Sequence, residues 1–157
     1  MTYKMRGFDI IVVGGGIVGL TQALALKNSG LSVAVVESHV SQGMPIGEPQ
    51  LRVSALTLAS ENVLHNLGVW QHLDPKRLCS YVDMQVWDQD SFGKIDFSSG
   101  LVQKQQLGHI VENQAIRHSL WMQAQSSQHI ELLAPKKITQ LVFGQQECFI
   151  TLDDGSQ

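Results

Sequence analysis

The chain has 157 residues, 43% hydrophobic and 16% charged, with a formal net charge of −3. This composition suits a folded domain with a real core and excludes a disordered chain. The largest basic run, Lys136-Lys137, is too small to attract nucleic acid, and no apolar run approaches the roughly 20 residues that span a bilayer. From the N-terminus, residues 8–13 are rich in β-branched side chains and predict a buried parallel strand. Gly14-Gly15-Gly16 breaks that strand. Residues 17–29 predict a helix, with Ile17, Leu20 and Leu24 on one side and Gly30 as its stop. Residues 32–36 predict a second buried strand, ending in Glu37. Gly43, Pro45, Gly47 and Pro49 mark 38–50 as a loop. Residues 57–67 predict a helix closed by Gly68. Residues 81–87 alternate, with Val82, Met84 and Val86 against Tyr81, Asp83, Gln85 and Trp87, and predict an antiparallel strand. Residues 94–97 are expected to pair with it across a turn at 88–93. Residues 113–125 predict a second long helix. Residues 130–133, 138–143 and 148–152 predict strands, followed by a turn at Asp154-Gly155. Strands alternating with helices, then a meander, imply the α/β class with a small antiparallel β part.

Gly14-x-Gly16-x-x-Gly19 follows a strand and opens a helix, the context in which this spacing has a mechanism. Gly14 permits the tight turn, Gly16 lets the backbone approach a pyrophosphate, and Gly19 lets the helix pack close to the strand. The phosphates then meet the free N–H groups and positive dipole end of the helix, near Ile17 and Val18. Ala23, Leu26, Gly30 and Val33 fall where small or apolar residues are needed. Glu37 closes the second strand, 18 residues after Gly19. Its carboxylate is placed to accept both ribose hydroxyls of an adenosine, and it would repel a 2′-phosphate. The expected fold is a Rossmann-like FAD- or NAD(P)-binding domain with a parallel sheet. The spacing by itself does not separate FAD from NAD, and a nucleotide-binding module without enzyme activity also fits it.

Cys79 and Cys148 lie far apart without CxxC spacing and fit free thiols in a reducing cytoplasm. The six histidines show no HxxxH or Cys/His pairing, so no metal site is expected. Lys4 and Arg6 run directly into a strand-like stretch, so no signal peptide is expected. His109, beside an apolar run, reads as a core histidine rather than a base. Trp70, Trp87 and Trp121 read as core packing. Glu112 precedes a helix and favours its dipole.

Gly14-Gly15-Gly16-Ile17-Val18-Gly19-Leu20 resembles the first motif of the group A flavoprotein aromatic hydroxylases. Gln50-Leu51-Arg52-Val53-Ser54-Ala55 resembles the arginine motif that those enzymes carry after the second strand. Leu67-Gly68-Val69-Trp70, residues 86–93 and residues 107–113 resemble the ubiquinone-biosynthesis branch, and within it the 2-octaprenylphenol hydroxylases of the VisC type. The resemblance implies FAD as cofactor and NAD(P)H as reductant. It implies a polyprenyl phenol and O2 as substrates, and the flavin carries the hard chemistry. It also implies that Arg52 lies against the flavin or its phosphates, with a surface or salt-bridged arginine as the alternative. Asn113 and Gln114 would begin a helix that abuts the flavin, although Asn at such a position is commonly only an N-cap. No catalytic residue is singled out.

Two features of that family have no counterpart here: a later Asp-Gly motif that touches flavin and NAD(P)H, and a Gly-Asp motif that holds the ribityl chain and pyrophosphate. The chain therefore reads as the N-terminal part of an incomplete FAD-binding domain, with substrate-domain-like antiparallel strands beginning over 81–112. Such a piece is expected to lack hydroxylase activity by itself and to expose apolar surface, which oligomerisation could cover. A polyprenyl substrate implies work at the inner membrane surface as a peripheral protein, among other proteins of ubiquinone synthesis. No amphipathic anchor is visible in the chain.

Overall fold

The computed structural model describes residues 5–157. In chain order its elements are strand β1 (Ile10–Val13), helix α1 (Ile17–Ala25), strands β2 (Val33–Val36) and β3 (Val53–Thr57), and helix α2 (Leu58–Asn66). Two short 3-10 turns follow at Trp70–His72 and Pro75–Arg77. Then come strands β4 (Cys79–Tyr81), β5 (Asp83–Trp87), β6 (Lys94–Ser98) and β7 (Gly108–Glu112), helix α3 (Asn113–Gln125), and strands β8 (Ile130–Leu133), β9 (Ile138–Phe143) and β10 (Cys148–Leu152). Two compact units divide the chain: Met1–Gly43 with Arg117–Gln157, and Met44–Ile116. The division falls inside α3. No described helix is long and apolar enough to cross a membrane.

The first unit holds a three-stranded parallel sheet in the order β1-β2-β8, plus the antiparallel hairpin β9–β10. All four residues of β2 are buried, as expected of a central parallel strand built from Val33-Ala34-Val35-Val36. Leu20, Ala23 and Leu24 give α1 its fully buried face. The fold is thus mixed α/β with a parallel sheet, as the strand–helix alternation predicts.

In this unit three boundaries differ from the sequence expectation. The first strand starts at Ile10 rather than at residue 8, because Asp9 leaves the ladder: its Oδ2 accepts from the amide (2.8 Å) and hydroxyl (2.7 Å) of Ser32. The same pairing takes Ser32 out of β2. Helix α1 stops at Ala25, four residues short of the predicted end. There Leu26, Lys27 and Ser29 donate to carbonyls three residues back instead of four, a tightened last turn that Gly30 (φ +79°) then reverses.

In the second unit β3, β7 and β4 form an antiparallel sheet in the order β3-β7-β4, and β5 pairs with β6. The single strand predicted over 81–87 is in fact two. Residues up to Tyr81 pair with β7, while Asp83 onward pair with β6. β3 was not expected as a strand, and β7 lies inside the antiparallel region expected over 81–112 without having been bounded there. Thr57 closes β3 and caps α2, its hydroxyl accepting from the Ser60 amide at 3.3 Å. In the β5–β6 register Met84 faces Phe97 and Val86 faces Ile95. All four are at least 40% exposed, so this apolar face is open, as the composition of an isolated hairpin would leave it. In the first unit an apolar-lined groove of about 900 Å³ runs past Ile11, Val13 and Leu133 to Phe143 and Phe149.

Trp121 is buried, in line with a core role, and Trp70 is half-buried between the rings of His65 (5.1 Å) and His109 (5.5 Å). Trp87 corrects the expectation: at the end of the two-stranded hairpin it is 70% exposed, because no further layer lies over that hairpin among the described residues. Cys79 and Cys148 are exposed free thiols.

Candidate nucleotide-binding site

The glycine turn links β1 to α1, and Gly14 and Gly19 each answer a separate steric demand there. Gly14 has φ +105°, and its amide donates to Val36 O at 2.8 Å, which ties the turn to the end of β2. A Cβ on Gly19 would lie 2.0 Å from Gly14 O and 3.2 Å from Val12 Cγ1, so α1 sits as close to β1 as backbone permits. A Cβ on Gly16 would meet nothing within 4 Å. Open space therefore lies beside the residue that begins the helix. Gly16 is the N-cap of α1 and offers no side-chain cap. The first N–H groups of a helix have no intrahelical acceptor, so the turn presents donors into that space, where an anion is favoured by the dipole. Ile17 starts the helix, and Val18 is 82% exposed beside it.

Glu37 follows β2 directly and is held in place by its surroundings. Its amide donates to Leu133 O (3.0 Å), and its carbonyl accepts from the Lys136 amide (2.9 Å). Its carboxylate Oε2 accepts from the Gly15 amide at 2.7 Å, and Oε1 accepts from the His39 amide (2.9 Å) and the Ser38 hydroxyl (3.1 Å). Burial pushes this carboxyl up, but the His39 and Gly15 amides, the Ser38 hydroxyl and the Arg117 guanidinium outweigh it and hold the group below its ordinary value. Glu37 is therefore an anion at neutral pH. A carboxylate has about four lone-pair positions. The three protein donors leave one on Oε2, enough for one sugar hydroxyl, and a second hydroxyl would replace Ser38.

Arg117 completes this cluster, and it was not among the residues chosen from sequence. Its Nε donates to Gly15 O (2.9 Å) and its Nη2 to His39 O (2.8 Å), while the guanidinium lies 5.5 Å from the centre of the Trp121 ring. One planar fork thus joins the glycine turn to the turn after Glu37. The only local signal was Arg117 four residues before Trp121, a stacking-compatible helical spacing. Arg117→Ala is expected to weaken binding of ADP about tenfold in a calorimetric titration, since two charge-assisted hydrogen bonds are lost. Arg117→Lys should not restore it, because one ammonium does not replace the fork. Unchanged affinity in Arg117→Ala would show that neither turn depends on the clamp.

The other sequence-chosen residues lie in the second unit. Arg52 is exposed, and its side chain has no hydrogen bond or ion pair among the described residues; its carbonyl accepts from the Asn113 amide at 3.0 Å. Asn113 is the first helical residue of α3, and its Oδ1 accepts from the Ser54 hydroxyl at 2.6 Å. Gln114 Oε1 accepts from the Gln50 side-chain amide. The structure therefore gathers Gly14, Gly15, Gly16, Ile17, Val18, Gly19 and Glu37 in one unit, and Arg52, Asn113 and Gln114 in the other. His109 is bonded through Nδ1 to Glu61 Oε1 at 2.7 Å, a histidine satisfied inside its unit. Among the described residues no cluster of three or more His, Cys, Asp or Glu could hold a metal.

Residues 9–44, which carry the glycine turn and Glu37, match the family model described as FAD dependent oxidoreductase. The chain is 29% identical over 134 residues to 3-demethoxyubiquinol 3-hydroxylase of Escherichia coli, covering 85% of this chain and 34% of the relative. It is 30% identical to ubiquinone hydroxylase UbiL of Rhodospirillum rubrum (94% and 34%). It is 34% identical to the mitochondrial ubiquinone biosynthesis monooxygenase COQ6 of Danio rerio (83% and 28%). The chain thus spans about a third of the length of these curated relatives. Among solved structures its fold is similar to p-nitrophenol 4-monooxygenase PnpA of Pseudomonas putida (TM-score 0.67, 16% identity, 97% of this chain and 38% of that one). It is also similar to PqsL of P. aeruginosa (TM-score 0.67, 18% identity, 96% and 40%).

Proposed function

We propose that this chain binds the ADP half of FAD and belongs to a flavin-dependent monooxygenase of ubiquinone synthesis. The reading rests above all on one observation: an open space at the start of α1, faced by Gly16 and flanked by the clamped anion of Glu37. Gly16, Ile17 and Val18 would hold the pyrophosphate, and Glu37 the ribose. Arg117 would keep the two turns in register. By the sequence resemblance, Arg52, Asn113 and Gln114 serve the flavin end. When bound, the flavin supplies oxygen activation with electrons from NAD(P)H, and this chain's residues bind and orient it. A fixed carboxylate where a 2′-phosphate would sit disfavours NADP in the same site.

The substrate proposed is a polyprenyl phenol, and the motifs at residues 86–93 and 107–113 favour 2-octaprenylphenol. The names of the relatives support the pathway. A long prenyl tail places such an enzyme at a membrane surface, as a peripheral protein.

Titration of the chain with FAD, ADP and NAD tests the reading. FAD and ADP are expected to bind, with FAD leaving a yellow chromophore on the protein after gel filtration. Binding of NAD in preference to both would instead make this a dehydrogenase-type domain. The 157-residue chain is expected to hold the nucleotide without hydroxylating a phenol. Hydroxylation dependent on NAD(P)H and O2 by this chain would overturn that part of the reading.

A further inference from the structure

Residues 47–52 form a loop with no regular structure of their own; Pro49 fixes only its own φ and narrows that of Glu48, and no helix or strand ladder holds the rest. A free loop of this kind samples several conformations, and fixing it costs backbone entropy. Here the loop is tied down from one point. Glu112, at the end of β7, is 4% exposed, and its carboxylate takes three donors: Arg77 Nε (2.6 Å), Arg77 Nη2 (2.8 Å) and the Gln50 amide (2.7 Å). Arg77 uses its third group, Nη1, on Gly47 O at 3.0 Å. Both partners of this bidentate pair therefore grip the loop, three residues apart. Arg52 comes two residues after Gln50. Its carbonyl receives the amide of Asn113, the residue after Glu112, and Val53 stands opposite Glu112 in the β3–β7 register.

We propose that Glu112, paired with Arg77, is a positioning residue for Arg52, fixing residues 47–52 in the path that presents the Arg52 guanidinium outward. The proposal rests on the assignment of Arg52 to FAD made above. A buried ion pair is not by itself a source of stability, because desolvation offsets its attraction. An apolar pair could fill the same volume. It could not bind the Gln50 N–H and the Gly47 carbonyl, and those are the contacts that shape the loop. Arg77 beside Glu112 also keeps the carboxyl below its ordinary value, so the acceptor stays charged. Arg52 itself has no side-chain partner among the described residues. Its backbone is held while its guanidinium stays available.

A double-mutant cycle in the full chain tests this, with FAD affinity and hydrogen exchange as readouts. Arg52→Ala and Glu112→Gln are each expected to raise the Kd for FAD about tenfold. The double variant is expected to bind no more than about twofold worse than Arg52→Ala. Exchange of the Gln50 amide should speed up in Glu112→Gln, while β2 amides keep their rates. Full additivity, or an unchanged Gln50 amide, overturns the proposal and leaves Glu112 a structural residue only. An Arg52→Ala variant with unchanged Kd overturns the assignment of Arg52 and, with it, the proposal; additivity on top of an Arg52 effect overturns the proposal by itself. If Glu112→Gln does not fold, Arg77→Lys carries the same cycle, since it keeps the charge and loses the fork.

Discussion

Gly19→Ala is expected to abolish FAD binding, weakening it at least a hundredfold, or about 2.7 kcal/mol, and to lower the melting temperature. The added Cβ would stand 2.0 Å from Gly14 O, and the obstacle is backbone, so no side chain can turn aside. Helix α1 would have to lift from β1. The overpacking itself costs about 1–3 kcal/mol. The lift also moves the helix N-terminus away from the turn that aims its N–H groups. Gly16→Ala gives the contrasting result. Its Cβ meets nothing of the chain within 4 Å, so folding should be untouched while the space proposed for the pyrophosphate is lost. A melting curve and an FAD titration on the two variants separate the causes. Normal FAD binding by a folded Gly16→Ala would show that the open space is not the phosphate site.

Glu37→Ala is expected to weaken both FAD and ADP by about ten- to a hundredfold, as removal of a charged hydrogen-bonding partner does. It removes the acceptor proposed for the ribose and leaves the Gly15 and His39 amides without theirs. The same carboxylate sets a pH dependence. Its folded-state pKa lies below its ordinary value of 4.5. The stability it contributes is therefore complete above that ordinary value and is lost as the pH falls through the lower, folded one. The direct expectation is a shallower loss of stability below pH 4.5 in Glu37→Gln than in the parent. Equal slopes in the two would show that Glu37 is not protonated more easily on unfolding.

The local chemistry of the chain by itself determines the βαβ unit. Val12 and Val13 before Gly14, the helix from Ile17 and the buried run from Val33 to Val36 are stated by period and composition, because each depends on neighbours within a few residues. The same holds for α3 and for the three strands after it, whose predicted limits agree with the structure. Alternation over 81–87 showed that strands exist there. It could not show that Tyr81 and Asp83 choose different partners, since pairing is decided by chain distant in sequence. Trp87 misled for a related reason: apolar character permits burial but does not supply a covering layer.

Within the candidate site, the glycine spacing and Glu37 were legible because a turn, a close approach and a strand-end carboxylate are local demands. Arg117 was not. Its acceptors, Gly15 O and His39 O, lie 102 and 78 residues away, and only the fold brings them to one guanidinium. Glu112 carried a helix-dipole reading in sequence and became the buried partner of Arg77, 35 residues distant. The sequence by itself thus determined where a nucleotide could lie. The tertiary structure decided which charged groups hold that place in shape, because an arginine's partner is a matter of where distant backbone ends up.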